Sequence, residues 1–302
     1  MPLHSHTMLL TTSQAEKLRE ILKKRGFIFE EKPYTLFAAQ KDRLRVAVYE
    51  KGPKVLLQGR GIEDFITFIL EPEITGEVRL GYEELHHPER FTPHFGVDES
   101  GKGDFLGPLV IAGVYVDETL AKQFQAAGIC DSKNIGTDKK IREMAAVIRR
   151  LQAPCERIVI SPQKYNQLYK NFKNLNSLLA WGHARVLENL CEKVPSCPRA
   201  LSDKFANERV LERALQEKGK QLQLDQRTKA ESDYAVAAAS ILAREGFIDW
   251  LEKEGTRLGV ILPKGVSPKV KGTAASLFRQ HGADILPQIA KMHFKTAAEV
   301  QI

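Results

Sequence analysis

The chain has 302 residues, 43% of them hydrophobic, enough for one large or two smaller globular domains, each with its own core. Lys and Arg number 45 against 38 Asp and Glu, a formal charge of +7 that favours polyanionic partners through long-range attraction. No run reaches the ~18 to 20 apolar residues needed to span a bilayer, and the polar start with His4, Ser5 and His6 lacks the apolar region of a signal peptide, so a cytoplasmic protein without membrane contact is expected.

In chain order, Ser13 and Glu16 have capping-box spacing, and Leu18, Ile21 and Leu22 then share one helical face before Gly26. Phe27–Phe29, Thr35–Ala39, Leu44–Tyr49 and Val55–Gln58 read as short strands separated by turn signals. The third alternates, with Leu44, Val46 and Val48 facing one way and Arg45 and Ala47 the other. After Gly59 and Gly61, a second helix carries Ile62, Phe65, Ile66, Ile69 and Leu70, with Pro72 just beyond its end. From Glu71 to Pro93 the pattern loosens into a linker, which predicts two units, 1–85 and 86–302.

The second unit opens on HFGVDESGKGDFLGPLV, His94 to Val110, where an apolar run ends in Asp98 and Glu99 and passes at once into Gly101-Lys102-Gly103. Leu109–Val116 is apolar enough to pair with that strand in a hairpin. Helical patterns follow at Asp138–Leu151, Leu175–Val194, Glu208–Lys218 and Tyr234–Leu251, with strand-like runs at Arg157–Ile160 and Ala200–Ser202, a mixed α/β unit with helices flanking a sheet. Cys130, Cys155, Cys191 and Cys197 form no CxxC pair, so neither a zinc site nor a disulfide framework is expected.

Adjacent acids at a strand end repel each other, and burying them costs several kcal/mol, on the order of an unpaired buried charge, unless a cation sits there. Asp203 ends another apolar run, and Glu231 and Asp233 stand at the start of the alanine-rich helix. Three or four convergent carboxylates suit Mg²⁺ or Mn²⁺, and two such ions about 3.5 to 4 Å apart support phosphodiester hydrolysis. For Asp233, helix capping explains the residue equally well. The stretch Gly96 to Gly103 also approaches G-x-x-x-x-G-K, but Gly103 follows in place of a P-loop's Ser or Thr, and the two acids inside the loop repel phosphates. Asp131-Ser132-Lys133 fits either a phosphate contact or a capped helix start. Lys264, Lys269 and Lys271, broken by Gly265 and Gly272, read as a basic loop able to follow a nucleic-acid backbone or simply to face solvent. His183, within a helical pattern beside Trp181, reads as a packed residue.

These residues resemble the bacterial ribonucleases HIII, relatives of ribonuclease HII within the type 2 ribonucleases H. The likeness runs along almost the whole chain: GVDESGKGDFLGPLV at Gly96–Val110, DSK at Asp131–Lys133, LLAWGHARVLENL at Leu178–Leu190, TKAES at Thr228–Ser232, AVAAASILAR at Ala235–Arg244 and KMHFKT at Lys291–Thr296. The resemblance implies an α/β fold, an RNase H-like catalytic domain behind a small α+β domain similar to half of a TATA-box-binding protein. It implies a monomeric endoribonuclease, without an obligatory protein partner, that cuts the RNA strand of RNA/DNA hybrids with Mg²⁺ or Mn²⁺ and leaves 5′-phosphate and 3′-hydroxyl ends. Carried onto matching positions, Asp98, Glu99 and Asp203 are metal ligands. Glu231 is the fourth acid, with Asp233 as the alternative. Ser100, Gly101, Lys102, Gly103, Ser132 and Lys133 are the substrate contacts. Lys102 stands where ribonuclease HII carries Arg; a point charge in place of a planar fork favours hybrids with longer RNA stretches over single-ribonucleotide excision. Arg45, Lys54 and Arg60 are the expected basic contacts of the N-terminal domain.

Overall fold

The computed structural model describes residues 5–76, 87–203, 211, 213–215, 219–227 and 230–300. The chain divides into two compact units, Met1–Pro88 and Glu89–Ile302.

The first unit is a five-stranded antiparallel sheet in the order β1 (Ser5–Leu9), β5 (Lys54–Gly59), β4 (Leu44–Tyr49), β3 (Thr35–Lys41), β2 (Ile28–Glu30). Helix α1 (Thr12–Lys24) is capped by Thr11, which pairs reciprocally with Gln14; the expected box at Ser13 and Glu16 lies two residues too late. Leu18 and Leu22 of α1 pack on Val46, Val48, Val55 and Leu57 together with Ile62, Phe65, Ile66 and Leu70 of the second helical segment. That segment, α2 (Ile62–Phe65), continues as a π-helix over Ile66–Thr75, which contains Pro72 and ends at Gly76 in the left-handed conformation. Residues Glu71–Thr75, expected to begin a linker, are therefore helical, because Ile74 still belongs to the core and a π-helical turn tolerates a proline. Positions 77–86 of that expected linker lie outside the described residues. One face of the sheet is covered; the other presents Glu30, Lys32, Arg45, Leu56 and Gln58 around a shallow hollow.

The second unit holds the sheet β10 (Gln223–Arg227), β9 (Arg199–Asp203), β6 (His94–Ser100), β7 (Leu109–Val116), β8 (Cys155–Ile160). The pairs β10/β9 and β9/β6 are parallel, whereas β6, β7 and β8 run antiparallel, so the predicted hairpin is present. Helices α3 (Glu118–Ala127) and α4 (Asp138–Arg150) follow, then α5 (Pro162–Phe172), α6 (Leu175–Lys193), α7 (Tyr234–Leu258) and α8 (Pro268–His281). Of the expected helix Glu208–Lys218, only 211 and 213–215 are among the described residues; 204–210, 212 and 216–218 lie outside them.

Two cores result, one on each face of the sheet, giving three α/β/α layers. Phe95, Val97, Leu109 and Ile111 face Leu179, Val186, Leu187 and Leu190 of α6. Val110, Ala112 and Val114 face Ala235, Ala238, Ile241 and Leu242 of α7. The small side chains of α7 let it lie close to the strands. At Gly96 this approach is closest: an added Cβ would overlap backbone atoms of Ala235 and Val236. This α/β architecture is that of the expected RNase H-like domain.

Candidate active site

Asp98 and Glu99 sit near the end of β6, opposite Ala112 and Ile111 of β7. The last paired residues of β6 and β9 are Val97 and Ser202, so the next step along these parallel strands brings Asp98 and Asp203 to neighbouring strand ends. Successive strand positions send side chains to opposite faces. Glu99 accordingly points to the α6 side, where the fully buried His183 meets its Oε2 through Nε2 at 3.0 Å. Lys102 Nζ approaches Oε1 of the same carboxylate at 3.3 Å. Asp98 points to the α7 side and accepts the Glu99 backbone N–H at 2.8 Å.

The two acids are driven apart electrostatically. Burial and then the Glu99 charge push the Asp98 carboxyl well above the carboxylate range; the Glu99 N–H and Lys133 oppose this only partly. Burial also pushes Glu99 up, but His183 and Lys102 outweigh it and bring that carboxyl down to about 2. One acid thus holds its charge while its neighbour resists ionisation, the condition that a cation beside Asp98 relieves. Among the described residues no three Asp, Glu, His or Cys side chains converge tightly enough to ligate an ion, and nothing is described of the Glu231 side chain. The residue types gathered at these strand ends, Asp98, Glu99 and Asp203, offer carboxylate oxygens, the donors that suit a hard divalent ion such as Mg²⁺ or Mn²⁺.

Asp131-Ser132-Lys133 forms a tight turn on the Asp98 side, with Asp131 capping Lys133 N at 3.1 Å. Helix α7 holds the turn: Ser132 N donates to Ser240 Oγ at 3.0 Å, and Arg244 donates to the Ser132 carbonyl. Ser132 is buried and Lys133 exposed. Ser100 closes β6, Gly101 adopts a φ of 87°, and Gly103 is exposed with open space around it.

Asp233 is the N-cap of α7, accepting from Ala235 N at 2.8 Å and Val236 N at 3.3 Å. His94 Nε2, buried in β6, lies 2.9 and 3.0 Å from its two oxygens. Glu231 belongs to a 3-10 turn, Ala230–Ser232, two residues before. The basic loop is not formed as expected. Lys269 and Lys271 lie in α8, whose start is signalled by Pro268 after Ser267; Lys271 pairs with Glu299, and Lys264 is held by both Asp138 oxygens at 2.6 and 2.7 Å. His183, read from sequence as packing, is buried as expected but also holds Glu99; no signal in the sequence alone separates these roles, because its helical neighbours are apolar.

The profile of the ribonuclease HII family matches residues 95–297. A ribonuclease HIII of Chlamydia pneumoniae is 43% identical over 293 residues, 96% of both chains. The chain belongs to the ribonuclease HIII family. A second ribonuclease HIII, from Protochlamydia amoebophila (strain UWE25), is 44% identical over 282 residues, 93% of this chain and 92% of the relative. Among solved structures, a Bst ribonuclease HIII in complex with Mn²⁺ matches with a TM-score of 0.68 and 26% identity, covering 98% of each chain. Membership of the ribonuclease HIII family makes the protein an endonucleolytic ribonuclease H.

Proposed function

We propose that the protein hydrolyses the RNA strand of RNA/DNA hybrids by two-metal-ion catalysis, leaving 5′-phosphate and 3′-hydroxyl ends. The observation that carries this reading is the half-buried Asp98–Glu99 pair, in which one carboxyl is held ionised and the other is held above its ordinary range beside the end of the Asp203 strand. Asp98, Glu99, Asp203 and Glu231 act as the catalytic acids, the first three as metal ligands. Asp233, already engaged by His94 and two backbone N–H groups, has little capacity left, which supports Glu231 as the fourth. Bound Mg²⁺ or Mn²⁺ would supply charge neutralisation at the scissile phosphate and a more acidic water for in-line attack.

Ser100, Gly101, Lys102 and Gly103 contact the RNA backbone and its 2′-hydroxyls, with Ser132 and Lys133 on the Asp98 side, so cleavage depends little on base sequence. Residues 1–85 bind the hybrid, through Arg45, Lys54 and Arg60, and 86–302 cut it. The protein acts in the cytoplasm as a monomer. The deciding experiment incubates labelled hybrid with the native chain and with Asp203→Asn, with and without Mn²⁺. Metal-dependent cleavage lost in the variant, with hybrid binding kept, is the expected result; binding without cleavage by the native chain would leave a hybrid-binding protein only.

A further inference from the structure

Lys291, the first residue of KMHFKT, has no exposed surface, in a residue type that is almost never fully buried without a partner. Its ammonium donates to two backbone carbonyls, Asp104 at 2.9 Å and Gly107 at 2.6 Å, and its backbone N–H donates to the Phe105 carbonyl at 2.9 Å. One residue near the C-terminus therefore holds three carbonyls of the segment that follows Gly101-Lys102-Gly103. The Tyr165 ring, 5.8 Å from Nζ, adds a cation–π contact. Burial pushes the ammonium down to about 7, partly opposed by Asp104.

The same segment is tied from other sides. Gly265 N donates to Asp104 Oδ1 at 2.6 Å, Phe105 N donates to the Gly265 carbonyl at 3.1 Å, and Gly107 N donates to the Ile289 carbonyl at 2.9 Å. Only the tip remains open: the Lys102 side chain is 39% exposed, and nothing lies within 4 Å of a Cβ built on Gly103. Desolvating an ammonium offsets much of what its hydrogen bonds return, so stability alone is a weak reason to bury a lysine here. What the ammonium supplies, and an apolar side chain cannot, is directed hydrogen bonds that fix the shape of the loop base.

We propose that Lys291 is a positioning residue for hybrid cleavage, its ammonium clamping the carbonyls of Asp104 and Gly107 so that the Gly101-Lys102-Gly103 tip meets the RNA strand in one shape. This rests on the reading of that tip as an RNA contact. Lys291 does not touch substrate; it acts through the loop.

The test uses the full chain with Lys291→Met, Lys291→Gln and Lys102→Ala, and measures hybrid cleavage with Mn²⁺, thermal midpoint, and Mn²⁺ binding by calorimetry without hybrid. Expected for Lys291→Met, which leaves two buried carbonyls without a donor, is a modestly lowered midpoint and unchanged Mn²⁺ binding, with kcat/KM lowered at least tenfold at a temperature where both proteins are fully folded. Lys291→Gln, which keeps a donor, should fall between, and carries the test if the Met variant does not fold. Cleavage within twofold of native, or a loss of activity only in proportion to a lost midpoint, would overturn the clamp. If Lys102→Ala loses hybrid affinity while Lys291→Met is unaffected, the clamp alone is wrong. If Lys102→Ala binds and cuts as the native chain does, the RNA-contact reading falls and the clamp with it.

Discussion

His183 Nε2 stands 3.0 Å from Glu99 Oε2, a contact between the middle of α6 and the end of β6 in which the imidazole has no exposed surface. It fixes the direction of the Glu99 carboxylate and, with Lys102, holds it ionised near 2 against the effect of burial. Partners of this kind orient a ligand and set its basicity, and their loss commonly lowers metal affinity or activity about 10- to 100-fold. His183→Ala should therefore lower Mn²⁺ affinity and hybrid cleavage by about that range while the protein stays folded. Calorimetry and steady-state cleavage check this; unchanged Mn²⁺ affinity in a folded variant would reduce His183 to packing.

Asp98 gives a pH signature. Its carboxyl is raised by burial and by Glu99, whereas a cation takes the carboxylate, so metal binding on the acid side must release a proton. Apparent Mn²⁺ affinity should rise with pH until Asp98 ionises unaided. Lys133 lowers the Asp98 value. Lys133→Ala should accordingly move the acid limb of the cleavage profile to higher pH. Titrations in buffers of different ionisation enthalpy detect the proton; a metal-binding heat independent of buffer would contradict the assignment.

Much of this site is legible in the sequence because its parts are local. Asp98, Glu99 and Gly101–Gly103 are contiguous, and Asp203 ends a recognisable apolar run. His183 is not legible, since an imidazole among Leu179, Val186 and Leu187 has the periodicity of a core residue, and only the laying of α6 across the sheet aims it at Glu99. Strand β1 is missed because Ser5–Leu9 pairs only with β5, at the sheet edge, and alternates exposed with half-buried side chains, which leaves no apolar run. Helix α7 runs seven residues beyond the expected end at Leu251, because Glu252–Leu258 is mostly polar yet continues the turns to a left-handed Gly259.

Gly96, which in sequence opens a near P-loop, has a packing role instead. An added Cβ would overlap the backbone of Ala235 and Val236, which cannot give way as a flexible side chain does. Gly96→Ala should push the start of α7 away from β6, two residues from Asp98 and next to the Asp233 cap. A cost of about 3 kcal/mol, at the upper end for overpacking, is expected, together with loss of cleavage. Urea unfolding measures it; a variant within about 0.5 kcal/mol of native, the range of a neutral surface change, would mean the helix can shift without strain.

Glu245 of α7 ties the helix to α4 and β8. Its oxygens accept from Arg149 at 2.5 and 2.7 Å and from Arg157 at 2.9 Å. Burial raises its pKa, but Arg149 and Arg157 outweigh this and hold the carboxyl below the ordinary range. Since the native value lies below the unfolded one, the unfolded chain binds more protons between the two, and stability rises with pH across that window. The contribution is complete above the ordinary Glu value of about 4.3 and is lost as pH falls through the native value. Because both arginines are part-exposed, Glu245→Gln should cost only about 1 to 2 kcal/mol near neutrality, less than a fully buried pair. The gap between native and variant in urea unfolding should close as pH is lowered from 7 toward 3. A gap that stayed constant with pH would show that the Glu245 charge is not what stabilises the fold.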